Sequence, residues 1–310
     1  MLRIDHLNKK YGSFQAVSDL NLHVEPGELM GFVGHNGAGK TTTLKIVAGL
    51  LSPTSGHVEI HGMDITKNRS QVHQLFGYVP DFFGVYDNLK VLEYMEFYAS
   101  MYGIVGKEAR KRCMELLELA QLENRPNAYV DTLSRGLKQL LCVVRSLVHD
   151  PELLLLDEPA SGLDPRARYD LMQLLKKLNN NGKTIIISSH ILPELADICT
   201  SIGIMHHGQL IMQGTMEEIQ RRARFEQPIH IQVLAGRDKI RAVLNEDPKA
   251  KGVSMAGTEL LVDYHGGAEE VAELLARMID TGALVGEFYR EKSSLEALFM
   301  EITRDEENEG

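Results

Sequence analysis

The sequence predicts an α/β fold over its first three quarters, followed by a small α+β unit. Three observations carry this. Short, largely apolar runs of strand length, Leu29–Val33, Leu153–Leu156 and Thr184–Ser188, alternate with segments of helical period. Charge is unevenly placed: residues 1–224 hold 24 basic and 25 acidic side chains, residues 225–310 hold 9 and 18. That shift sets a domain boundary near Phe225–Pro228. A length of 310 residues fits about two domains.

Composition narrows the function classes. Apolar residues at 44% and charged residues at 25% are ordinary for a globular protein, which excludes a disordered chain, a collagen and a coiled coil. Tryptophan is absent, so the cores must be built from Leu, Ile, Val and Met. A net charge of −10 argues against a dedicated nucleic-acid binder. Cys113, Cys142 and Cys199 are far apart, which fits small buried hydrophobes in a reducing compartment rather than disulfides or zinc. The sequence has neither an apolar run long enough to span a bilayer nor an N-terminal apolar leader. The expected location is cytoplasmic, with membrane contact only through a partner.

The elements follow in order. Leu2–Asp5 and Leu20–Val24 alternate as strands, and Glu25–Glu28 is a turn. Leu29–Val33 is a buried strand feeding glycines and then a helix, Thr42–Leu51. A turn at Pro53–Gly56 precedes the strand His57–Ile60. Helical spacing recurs in Leu89–Tyr102, Lys107–Leu119 and Leu137–Val148, a helical insert spanning about 85–148. The later strands Leu153–Leu156 and Thr184–Ser188 are each followed by a helical segment. In the tail, Ile229–Leu234, Gly252–Ala256, Leu260–Tyr264 and Leu284–Arg290 read as strands, and Lys239–Leu244 and Ala268–Asp280 as helices. Their order, β-α-β-β-α-β, is that of a ferredoxin-like unit covering 225–304. A last helix, Ser293–Thr303, and a frayed tail at 305–310 complete the chain.

The strongest local signal is Gly34-His35-Asn36-Gly37-Ala38-Gly39-Lys40-Thr41, a G-x-x-x-x-G-K-[ST] run between a buried strand and a helix. Gly34, Gly37 and Gly39, with Asn36 and Ala38 between them, let successive N–H groups point inward at phosphate oxygens. The helix that opens at Thr41 and Thr42 adds its positive dipole end. Lys40 supplies a point charge to the β- and γ-phosphates, and the Thr41 hydroxyl can ligate Mg²⁺. The second signal is Leu153-Leu154-Leu155-Leu156-Asp157-Glu158. Its leucines set two carboxylates at a strand's C-terminal end, where α/β sheets bind ligands. Asp157 suits the metal, and Glu158 suits a water that must be oriented and deprotonated.

A third signal, Leu133-Ser134-Arg135-Gly136-Leu137-Lys138-Gln139, sits with Ser134 23 residues before Asp157. Ser134 caps a helix and Gly136 lies in its first turn, giving a second phosphate-binding helix end. Here the chain resembles the nucleotide-binding subunit of an ABC transporter, whose signature LSGGQ stands at this place as LSRGL. The resemblance covers roughly residues 2–220. It implies a P-loop ABC ATPase domain with a RecA-like core, an antiparallel β subdomain and a helical subdomain. It implies that Ser134 and Gly136 face the γ-phosphate of ATP bound to a second copy of the chain. Ser161–Pro165, with Asp164, resembles the D-loop that links two such sites. His190 resembles the switch histidine at the γ-phosphate, and Tyr11 the aromatic that stacks on adenine. The implied reaction is hydrolysis of ATP with Mg²⁺ held by Thr41 and Asp157. The implied partners are a second copy of the chain and a separate transmembrane permease, with no nucleic acid. The acidic appendage resembles that of bacterial exporter ATPases. A soluble ABC ATPase and a nucleotide-gated regulator are the alternative readings.

Two positions depart from the family pattern. Asp81 stands where the family usually carries a glutamine, and it either ligates Mg²⁺ or caps a turn. Arg135 replaces the first glycine of the signature, and lies either near a phosphate or on the solvent face.

Overall fold

A computed structural model describes residues 1–82, 84, 86, 88–219, 228–256 and 259–290. The chain divides into two compact units, Met1–Thr215 and Met216–Gly310. Of the expected boundary at Phe225–Pro228 only Pro228 is among the described residues, and the helix expected at Ser293–Thr303 and the tail at 305–310 lie outside them.

The first unit holds two sheets. Strands β1 (Leu2–Tyr11), β2 (Phe14–Val24), β4 (Ser55–Ile60) and β5 (Met63–Asp64) form an antiparallel sheet in the order β2-β1-β4-β5. Strands β3 (Leu29–Val33), β6 (Phe76–Val79), β7 (Leu153–Leu156), β8 (Thr184–Ser189), β9 (Ser201–His206) and β10 (Gln209–Thr215) form the second, in the order β10-β9-β3-β8-β7-β6. In it only β10 runs antiparallel to its neighbour. β3, β7 and β8 are buried along their whole length, which is why they read as continuous runs rather than alternations. Met30, Phe32, Leu153, Leu155 and Ile186 join Leu44 and Ile46 and the inward residues of β1, β2 and β4 in one core. Each such side chain contributes about 1.5–3 kcal/mol when fully buried.

Helix α1 (Lys40–Val47) follows β3 directly, and α2 (Arg69–Val72) is a single turn. The helical insert holds α3 (Val91–Met101), α4 (Gly106–Leu119) and α5 (Arg135–Arg145), between β6 and β7. Helices α6 (Pro165–Asn180) and α7 (Leu192–Ala196) follow β7 and β8. Several helix starts differ from expectation, two of them at the phosphate loop and the signature. α1 begins at Lys40, because Gly39 at φ +107 turns the chain into the helix one residue before Thr41. α5 begins at Arg135, directly after its cap Ser134. Strands β5, β6, β9 and β10 were not expected. In β6, Gly77 interrupts the apolar run where a Cβ would crowd the Ser146 carbonyl oxygen at 2.5 Å. In β9, Gly203 makes room for Met30 Cε in the same way.

The second unit has the expected order. β11 (Ile229–Ala235), α8 (Arg237–Glu246), β12 (Ala250–Ala256), β13 (Glu259–Tyr264), α9 (Ala268–Asp280) and β14 (Leu284–Arg290) succeed one another. The sheet is antiparallel in the order β12-β13-β11-β14, the ferredoxin-like arrangement. Ile229, Ile231 and Val233 of β11 pack with Ile240 and Leu244 of α8 and Leu274 and Met278 of α9, a core separate from that of the first unit.

Candidate nucleotide site

Four groups of the predicted site residues converge on the C-terminal ends of adjacent parallel strands. The order β3-β8-β7-β6 brings the phosphate loop after β3, His190 after β8, Asp157-Glu158 after β7 and Asp81 after β6 side by side. The loop is anchored at its start, where Gly34 N–H donates to the Ser189 carbonyl at 3.3 Å. Side chains are excluded at both ends of the loop. A Cβ on Gly34 would run into the Met205 carbonyl, and one on Gly39 would meet the Ala16 carbonyl oxygen at 2.5 Å. Gly37 takes φ +86 at the exposed crest beside Asn36. Ala38 closes a turn by donating to the His35 carbonyl. Lys40 folds back under the loop, its ammonium donating to the carbonyls of Gly34 at 2.6 Å and His35 at 3.2 Å. It is buried, with Nζ 3.3 Å from Glu158 Oε1. Thr42 lies in the first turn of α1, half-buried.

Two carboxylates and two hydroxyls make the centre. Thr41 Oγ1 donates to Asp157 Oδ1 at 2.9 Å, and Ser188 Oγ donates to the same oxygen at 2.8 Å. Ser188 Oγ also accepts the Glu158 backbone N–H at 2.9 Å. Burial raises the Asp157 pKa above the ordinary carboxylate range; the hydroxyl bonds oppose this, and the Asp81 and Glu158 charges add to it. Tyr78 is shifted upward by its own burial and by the Asp157 and Asp81 charges. Glu158 takes φ +47, a left-handed conformation that swings its carboxylate toward β8. There Glu158 Oε2 pairs with His190 Nδ1 at 2.8 Å. Glu158 Oε1 is buried without a hydrogen-bond donor among the described residues, although Lys40 stands nearby.

The donor set can be tested against a divalent ion. Among the described residues no group of three or more His, Cys, Asp or Glu side chains forms a metal cage. One buried carboxylate beside one hydroxyl instead fits Mg²⁺, which is held by one or two carboxylates and completed by substrate phosphates and water.

The remaining residues are placed as follows. Ser134 Oγ accepts the Leu137 N–H at 3.4 Å and so caps α5. Gly136 is buried against Ala167 of α6, where a Cβ would strike the Ala167 Cβ. Asp164 caps α6, its Oδ1 accepting the N–H groups of Arg166 and Ala167 at 3.0 Å. Tyr11 ends β1 with its ring about half exposed and Lys9 Nζ 5.1 Å from its centroid. Asp81 and Glu158 line one cavity of about 410 Å³ together with Arg135, Lys138, Gln139 and Ser161. Arg135 is exposed, which fits the solvent-face reading, and its guanidinium also donates to the Ser161 carbonyl at 2.9 Å. Sequence reasoning missed Ser188. The signal was a pair of hydroxyl residues closing the isoleucine run of β8.

A phosphate loop, a buried Asp-Glu pair and a histidine on neighbouring strand ends place the molecule among the P-loop nucleoside triphosphatases. The family profile described as ABC transporter matches residues 17–161. The linearmycin resistance ATP-binding protein LnrL of Bacillus subtilis (strain 168) is 31% identical, over 98% of this chain and 98% of its own. The Nod factor export ATP-binding protein I of Cupriavidus metallidurans (strain CH34) is 33% identical, over 98% and 97%. The bacitracin transport ATP-binding protein BcrA of Bacillus licheniformis is 38% identical over 72% of each chain. Among solved structures, a bacterial ABC transporter cassette in dimeric form is 29% identical with a TM-score of 0.64, covering 70% of this chain and 99% of its own. The same cassette bound to ADP and Pi after hydrolysis gives 0.63 at 29% identity, with the same coverage. The chain belongs to the ABC transporter family, as one of its ATP-binding subunits, and it is an ATPase.

Proposed function

We propose that the chain drives a separate transmembrane permease for export, by closing as a dimer around two Mg-ATP and opening on hydrolysis. The observation that carries the reading is the joint of Thr41, Ser188 and Asp157, with Glu158 paired to His190 beside it. The backbone amides of residues 34–41 and the Lys40 ammonium bind the β- and γ-phosphates. Thr41 and Asp157 would hold Mg²⁺, which would supply positive charge against the phosphates. Glu158 orients the attacking water and takes its proton. His190 meets Glu158 through Nδ1, which leaves its Nε2 edge for the γ-phosphate. Tyr11 offers an exposed ring face to adenine. Ser134 and Gly136 of the second copy complete the site.

Export is supported by what the relatives are named for: Nod factor export in one, linearmycin resistance and bacitracin transport in others. None of the helices in the described residues is long and apolar enough to cross a membrane, so a permease would supply the path. Its cytoplasmic helix would seat against residues 82–102. Phe82 and Tyr86 are exposed there, and Tyr98 and Tyr102 of the same stretch line a cavity of about 210 Å³ with Leu50, His73, Arg145 and His149. At this loop we propose that Asp81 acts on the metal. Asp81→Gln should then shift the Mg²⁺ concentration for half-maximal turnover, and an unchanged Mg²⁺ profile would leave Asp81 only a turn residue.

The deciding experiment is Mg-ATP hydrolysis against protein concentration, beside Glu158→Gln. Wild-type activity should rise faster than linearly with concentration. In the variant turnover should fall by about a hundredfold or more while ATP still binds and dimerises the chain. Near-normal turnover in Glu158→Gln would remove Glu158 from the mechanism, and strictly linear activity would remove the dimer.

A further inference from the structure

We infer that Arg135 is a positioning residue: it ties the start of the signature helix to the D-loop of its own subunit, so that the two segments facing a partner's nucleotide move together. The inference rests on the dimer proposed above. Three contacts carry it. The Arg135 guanidinium donates to the Ser161 carbonyl at 2.9 Å, joining the first residue of α5 to the loop after Glu158. Gly162 follows at φ +64, and a Cβ there would stand 2.6 Å from the Arg135 guanidinium, so the loop is shaped to receive the arginine. One residue beyond Arg135, Gly136 packs against Ala167 of α6 with no room for a Cβ.

The D-loop is also held from its far side. Arg168 of α6 donates to the Leu163 carbonyl at 3.4 Å and pairs with Glu194 of α7 at 2.6 Å. α7 begins two residues after His190. The loop therefore lies between the signature helix on one flank and the segment carrying the histidine on the other. A glycine at 135 would leave the first flank to the Gly136–Ala167 contact alone. A guanidinium bonded to a neutral carbonyl at the surface holds position through its fixed planar donors, which a flexible ammonium does less well.

The test is a double-mutant cycle of Arg135→Ala and Gly162→Ala, read in hydrolysis and in hydrogen exchange of the nucleotide-free protein. Arg135→Ala should lower kcat by about tenfold, with monomer ATP affinity unchanged, because the phosphate loop is untouched. Arg135→Lys should recover part of the loss. Gly162→Ala expels the guanidinium from its seat, so adding Arg135→Ala to it should cost little more; non-additivity of this kind is the mark of shared contact. The amides of Ser161 and Leu163, bonded to the Glu158 and Ala160 carbonyls, should exchange faster in Arg135→Ala. Unchanged exchange, or additive losses in the cycle, would overturn the tie. Faster exchange with unchanged kcat would overturn its role in the reaction. Wild-type protein that hydrolyses ATP without dimerising would instead overturn the reading on which the inference rests.

Discussion

Burial lifts the Asp157 carboxyl above the usual carboxylate range, and the Asp81 and Glu158 charges lift it further. A carboxyl with a raised folded pKa binds protons more tightly in the native state than in the unfolded one. Its charge therefore opposes folding at neutral pH, and the opposition fades as pH falls through the folded value. Asp157→Asn keeps an oxygen for the Thr41 and Ser188 hydroxyls and removes the charge. The nucleotide-free variant should melt at a higher temperature than wild type at neutral pH, the gap closing in acid, while hydrolysis is lost. Calorimetry across pH checks this, and a variant that melts lower at neutral pH would contradict it. The conflict is the expected one between a site built for an ion and a fold that must stand without it. The sequence showed Asp157 and Glu158 because an apolar run ends on them. Ser188 was harder to see, because its work depends on β8 lying between β3 and β7, a neighbourhood no local pattern encodes.

At the scale of elements, α5 and α6 meet through Gly136 and Ala167, and the fit leaves no space for another methyl group. Gly136→Ala gains about 1 kcal/mol of helix propensity, but overpacking against Ala167 costs about 1–3 kcal/mol, so the variant should be less stable in urea. Ala167→Gly in the same chain should restore it, and failure of that rescue would place the fault outside this contact. α3, α4 and α5 were legible from apolar spacing, to within two residues at their starts. β6 and β9 were not, because Gly77 and Gly203 break their apolar runs where neighbouring atoms need the room. β10 alternates between exposed and half-buried residues, and its place as the sheet's antiparallel edge follows from pairing with β9. Arg135 was visible as a departure from the family pattern. Its contact with Ser161 was not, because the two lie on segments that meet only in the fold.

For the molecule as a whole, the two units have separate cores, one around Phe32, Leu155 and Ile186, the other around Ile231, Leu260 and Leu274. Every strand and helix that carries the nucleotide site lies within Met1–Thr215. A fragment of residues 1–215 should therefore fold cooperatively and bind Mg-ATP with the affinity of the intact monomer, as equilibrium titration with a fluorescent nucleotide would show. Loss of affinity by more than about tenfold would mean that the second unit holds the first in shape. The charge step stands a few residues after the division at Thr215, and the order of elements in the second unit is the one its apolar runs suggest.

The order in which the central sheet closes has a cost during synthesis. β3 is made early, yet both of its neighbours, β8 and β9, are made late: Val33 pairs with Ser189 and Ile204. Translation at roughly 5–20 residues per second leaves Leu29–Val33 waiting on the order of ten seconds before either edge is covered. During that interval a wholly apolar strand with two open edges emerges beside whatever else the ribosome is making. The phosphate loop at its end thus comes into being only after most of the first unit has been translated, and cells that overproduce the chain would need holding factors for the nascent strand more than for the finished protein.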